Sequence, residues 1–81
     1  MKSQFLTEPD TWGDRIRTIR DDLEAGDLPR LYFIVALSLN DAYDSNDYDR
    51  HEILREMMEG VKMNDYDAVN NGIRLLEELP E

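Results

Sequence analysis

Four aspartates, Asp41, Asp44, Asp47 and Asp49, fall within nine residues that include no basic side chain. A shorter run, Asn64-Asp65-Tyr66-Asp67, repeats the last part of it, Asn46-Asp47-Tyr48-Asp49. Carboxylates at this density can hold a cation, move a proton or attract a basic macromolecule. The first use fails on spacing. A calcium loop needs a glycine at its sixth position and a glutamate at its twelfth. Counted from Asp44, those positions are Asp49 and Arg55, and counted from Asp47 the twelfth is Met58. No metal or cofactor is expected.

Proton transfer fares no better. None of the paired carboxylates sits in a strongly apolar run that would raise its pKa for acid catalysis. His51 is the sole histidine, and no serine or glycine-rich elbow accompanies it as a nucleophile would require. There is no cysteine, so thiol chemistry and thiolate metal sites are excluded. No glycine-rich phosphate loop is present. The expectation is a protein that is not an enzyme.

Attraction of a basic partner remains. The formal charge is −10, and the halves differ: residues 1–40 hold seven acids and five bases, residues 41–81 twelve acids and four bases. The second half should repel nucleic acid and anionic lipid and steer toward cationic protein surfaces. Arg15, Arg17 and Arg20 form the one basic cluster, but Asp14, Asp21 and Asp22 surround it, which reads as an ion-paired helix face. The candidate partner contacts are Asp41, Asp44, Asp47, Asp49, Glu52, Asp65 and Asp67. Tyr48 and Tyr66 would act as anchors, because tyrosine is enriched where interfaces are tightest. The same acidity also suits a surface made only for solubility.

The elements that would carry these residues read as helices. Eighty-one residues make one small domain, 1–81, with 1–10 a loose lead-in. Trp12, Ile16, Ile19 and Leu23 recur at helical spacing, Thr11 or Asp10 can cap them, and Gly26 suits a left-handed stop, giving a helix over 11–25. Asp27 caps a second helix, about 28–43, whose run Leu31 to Leu37 is apolar on most faces and belongs at the centre of a bundle. Its polar stripe is Arg30, Ser38 and Asp41, and Ile34 interrupts that stripe, either covered by the N-terminal segment or exposed at an interface. Asp49 with Glu52 resembles a capping box for a third helix over 48–61, with Gly60 loosening its end. Tyr66, Val69, Ile73 and Leu76 line a fourth over 66–79, in which Gly72 suggests close helix contact and Pro80 makes the stop. The predicted fold is all-α, a small four-helix bundle with short loops.

The repeated Asn-Asp-Tyr-Asp, 18 residues apart, invites comparison with a helical-hairpin repeat. The stretch from Asn64 to Pro80 resembles the second helix of a tetratricopeptide repeat at Tyr66, Ala68 and Pro80. The spacing from tyrosine to alanine is one residue short, Gly72 stands where a bulky side chain is usual, and the preceding helix places Glu52, Arg55, Glu56 and Glu59 where the apolar signature belongs. Shared helix-start chemistry explains the repeat better: an aspartate caps, and the tyrosine beside it can staple to a neighbour.

The resulting expectation is a small cytoplasmic protein that binds and inhibits a cationic, nucleic-acid-binding protein, its carboxylates imitating phosphates. In size, charge and helicity it is similar to phage-encoded inhibitors of bacterial defence nucleases, including anti-CRISPR proteins. The N-terminus does not read as a signal peptide, and no apolar stretch approaches the ~20 residues of a membrane span. Direct nucleic-acid and membrane partners are not expected, whereas a homodimer is possible. The alternatives are a helical interaction module, antitoxin-like or an assembly subunit, using an apolar surface of the second helix around Ile34, and a salt-adapted structural protein.

Overall fold

The structure, a computed structural model, describes residues 11–80. Four α-helices follow one another: α1 (Trp12–Ala25), α2 (Leu28–Asp44), α3 (Tyr48–Lys62) and α4 (Tyr66–Glu78). They close a ring in which α2 packs on α1 and α3, and α4 packs on α3 and α1. Short connections make each helix antiparallel to the next, which is the up-down-up-down bundle.

One device makes all three turns. Gly26, Asn46 and Asn64 adopt φ of 72°, 57° and 59°. These are left-handed positions, which glycine and asparagine tolerate best. At each turn two backbone bonds close the outgoing helix. Gly26 N–H donates to Leu23 and Asp27 N–H to Asp22, with the same pattern at Asn46–Asp47 and Asn64–Asp65. The aspartate that ends one helix also starts the next. Asp27, Asp47 and Asp65 accept from the backbone N–H of Arg30, Arg50 and Ala68 at 3.4, 3.3 and 3.2 Å. The repeated Asn-Asp-Tyr-Asp is therefore a twice-used helix–turn–helix joint, and Gly26-Asp27 is a third version of it. Thr11 caps α1 through Asp14 N–H at 3.1 Å.

Two local expectations change. The cap of α3 is Asp47, not Asp49. Asp49 lies in the first turn, where its charge still meets the helix dipole. The tyrosine beside the cap does not staple the helix at Tyr48, which is 76 % exposed. At the second joint Tyr66 donates to the Asn64 side chain at 3.0 Å.

The core combines one stripe from each helix: Ile16 and Ile19, then Leu31, Ile34, Val35 and Ala42, then Leu54, Met57, Met58 and Val61, then Val69, Ile73 and Leu76. Ile34 is 3 % exposed and Ser38 is fully buried with its hydroxyl unpartnered, so the middle of the polar stripe expected on α2 faces the core, and Arg30 at its start stays exposed. A helix at the corner of a ring buries the sides that meet its two neighbours. The side of α2 turned away from both carries Pro29, Phe33 and Asn40, with Tyr32 and Tyr43 beside them. Gly60 and Gly72 are both buried at the α3–α4 contact. A β-carbon on Gly60 would lie 3.0 Å from the Asp65 carbonyl, and one on Gly72 would overlap the Met57 side chain. Gly60 thus lets α3 and α4 approach closely and remains helical. Among the described residues no helix is long and apolar enough to cross a membrane.

Candidate partner-binding site

The bundle sorts the carboxylates into those it uses and those it leaves facing water. Asp41 reaches across to α1 and pairs with Arg15 at 2.7 Å. Asp47, besides capping α3, pairs with the Arg50 guanidinium at 2.7 Å. Arg50 is buried to 7 % exposure and also donates to the Pro80 carbonyl at 2.7 Å. Both guanidinium groups lie over the Trp12 ring, 4.8 Å away for Arg15 and 4.9 Å for Arg50. Asp41–Arg15–Trp12–Arg50–Asp47 is one continuous network tying α1, α2, α3 and the end of α4 together. Cation–π contacts of this kind strengthen when they are shielded from water. The Asp41–Arg15 pair was not legible in the acidic run because Arg15 lies 26 residues earlier, whereas Asp47 and Arg50 are neighbours three residues apart at the start of α3.

Of the remaining predicted contacts, Asp65 caps α4 and Glu52 pairs with Arg55 at 2.5 Å. Asp44, Asp49 and Asp67 are exposed and form no ion pair among the described residues. The two acidic runs lie at opposite ends of α3, so they do not merge into one cluster. At 1.5 Å per residue they stand about 22 Å apart.

What joins them is the solvent face of α3. Asp49, Glu52, Glu56 and Glu59 follow at helical intervals of three and four, and all are exposed. Arg55 and Lys62 lie beside this stripe, Arg55 against Glu52 and Lys62 at 3.9 Å from Glu59. Tyr48 at one end and Met63 at the other are 76 % and 75 % exposed. Glu56, Glu59 and Met63 share this face but were not among the residues expected from the sequence, although their spacing with Asp49 and Glu52 was readable there. Tyr43, 69 % exposed, packs its ring against His51 on the flank of α3, with centroids 5.8 Å apart. That contact gives His51 a structural neighbour, and no hydrogen bond joins it to a nucleophile among the described residues.

A groove of about 310 Å³ runs between α1 and α4, lined by Trp12, Ile16, Arg17, Arg20, Arg50 and Leu76. Each of its arginines already has a carboxylate: Arg17 has Asp14, Arg20 has Glu77 on α4, and Arg50 has Asp47. Among the described residues no group of three or more histidines and acids comes together as a metal would require.

Compared with known proteins, the chain matches no family model, no curated protein and no solved structure.

Proposed function

We propose that this chain is a non-enzymatic binding protein that engages a cationic protein partner through the solvent face of α3. The observation that carries this reading is the stripe Asp49, Glu52, Glu56 and Glu59, ending in exposed Tyr48 and Met63. Buried large apolar side chains supply most of the affinity of an interface, while surrounding charges set encounter rate and specificity. An acidic stripe between a tyrosine and a methionine offers both. Among the described residues no carboxylate of this stripe caps a helix or pairs with another helix; Asp27, Asp47 and Asp65 cap, and Asp41 pairs across to α1. The finer reading is that the partner binds nucleic acid and that the rod-like acidic stripe competes with its phosphates, so that the chain acts as an inhibitor in a cytoplasmic setting.

The test uses Asp49→Lys with Glu56→Lys, and Tyr48→Ala with Met63→Ala, in protein immobilised against a lysate and eluted with rising salt. A basic partner should leave at moderate salt, compete with duplex DNA or RNA, and be lost from both variant pairs while helical circular dichroism persists. A partner held equally by the charge-reversed protein would refute the acidic face.

A further inference from the structure

The outer side of α2 carries a second surface that the reading above does not use. Positions 29, 33, 36, 40 and 43 follow the four–three spacing of a coiled-coil seam, occupied by Pro29, Phe33, Ala36, Asn40 and Tyr43. Pro29, Phe33 and Asn40 are exposed on the side of α2 turned away from α1 and α3, Ala36 is half-buried against the core, and exposed Tyr43 closes the seam at its edge, where its ring meets His51 of α3. Phe33 is 60 % exposed, and beside the seam Tyr32 is 46 % and Leu28 40 % exposed. In a chain of net charge −10, residues 31–40 include no charged side chain. A second acidic molecule could dock on this face without bringing carboxylates into its centre.

We propose that this face is a self-association surface on which a second copy of the chain packs its own α2 antiparallel to the first. The direction follows from charge. Arg30, 71 % exposed at its side chain, stands at the N-terminal end of the seam, and exposed Asp44 at the C-terminal end. Antiparallel pairing about Ala36 and Leu37 sets Arg30 of each copy beside Asp44 of the other, whereas parallel pairing sets like charge against like. The small Ala36 at the two-fold axis permits close approach, and Phe33 of each copy falls opposite Asn40.

The area is adequate for a weak, reversible dimer. With about 200 Å² per aromatic side chain, the exposed fractions of Tyr32, Phe33 and Tyr43 leave about 350 Å² per copy. Adding Leu28, Pro29 and Ala36 from both copies brings the total to about 1,000 Å², the low end for a specific interface. Salt gives a distinguishing sign. Repulsion between two molecules of charge −10 is screened as salt rises, and apolar burial is not. Self-association should tighten with salt, opposite to binding of a cationic partner on α3, so the two surfaces fail or succeed separately.

The test is sedimentation equilibrium of the full chain from roughly 10 µM to 1 mM at low and high salt, since such a dimer is concentration-dependent. The wild type should pass from monomer to dimer, with tighter association at high salt. Phe33→Glu should weaken the dimer by more than about tenfold with unchanged helical signal, because it places a charge in a desolvated seam. Arg30→Glu and Asp44→Arg should each weaken it, and the double exchange should restore it. A wild type that stays monomeric throughout, or a Phe33→Glu variant that dimerises like the wild type, would overturn the surface. Failure of the double exchange to restore association would overturn the antiparallel arrangement.

Discussion

Replacing Asp47 should unfold a fraction of molecules that replacing Asp44 or Asp49 leaves intact, although all three sit in one acidic run. Asp47 does two jobs in the fold. Its carboxylate caps α3 and holds a guanidinium that is 9 % exposed. Removing one member of a well-buried ion pair costs about 3–5 kcal/mol. Arg50 would keep the Pro80 carbonyl and the Trp12 ring, and Asp47 is itself 24 % exposed, so a loss of about 2 kcal/mol is expected here. Asp47→Asn isolates that part, because asparagine caps a helix about as well as aspartate. Asp47→Ala removes the cap as well, worth about 1 kcal/mol, for a total near 3 kcal/mol. Small domains have total stabilities from about 5 kcal/mol, and 1 kcal/mol shifts their midpoint by about 4–8 °C. Thermal melts followed by far-ultraviolet circular dichroism should therefore show Asp47→Asn about 8–16 °C below wild type and Asp47→Ala lower again. Asp44→Asn and Asp49→Asn should stay within about 0.5 kcal/mol of wild type in urea titrations. If Asp47→Ala melted no lower than Asp44→Ala, the division of this run into structural and exposed carboxylates would be wrong. The consequence for function is direct, because a binding defect on reversing Asp47 would report the fold and not the interface.

Two further substitutions probe the interior. Asp22 is largely buried beside Arg30, and burial raises its carboxyl pKa against the opposing pull of that arginine. A raised folded-state pKa favours the protonated form, so its contribution is present below the ordinary carboxylate range and lost as pH rises toward the folded value. Asp22→Asn should therefore raise the melting midpoint at pH 7, with the gain closing near about pH 3, as melts across pH would show. Gly72→Ala should gain about 1 kcal/mol of helix propensity but cost about 1–3 kcal/mol by overpacking Met57, a net loss near 1 kcal/mol in denaturant titration. In an isolated α4 peptide, where Met57 is absent, the same change should increase helicity.

The sequence by itself determined the four helices and their ends within a residue or two. Those signals are local: apolar residues at helical intervals, an aspartate before each of α2, α3 and α4, and glycine or asparagine at the left-handed turns. A cap or a backward turn bond involves groups no more than five residues apart, so a short window contains all the physics. The misplaced cap of α3 shows the limit of such a window, since Asp47 and Asp49 both carry the right chemistry and the turn geometry at Asn46 selects the first. Capping took the Asp47 and Asp65 carboxylates locally, and tertiary structure decided the rest. Asp41 is taken by Arg15, 26 residues earlier, and Arg50 is fixed partly by Pro80, 30 residues later. Pairings at that range depend on which helix faces meet, and that is set by the packing of Leu31, Leu54, Val69 and their neighbours into one core. The same packing buried Ile34, turned Phe33 and Tyr32 outward, and made the solvent face of α3 the span between two acidic runs that the sequence left as separate clusters.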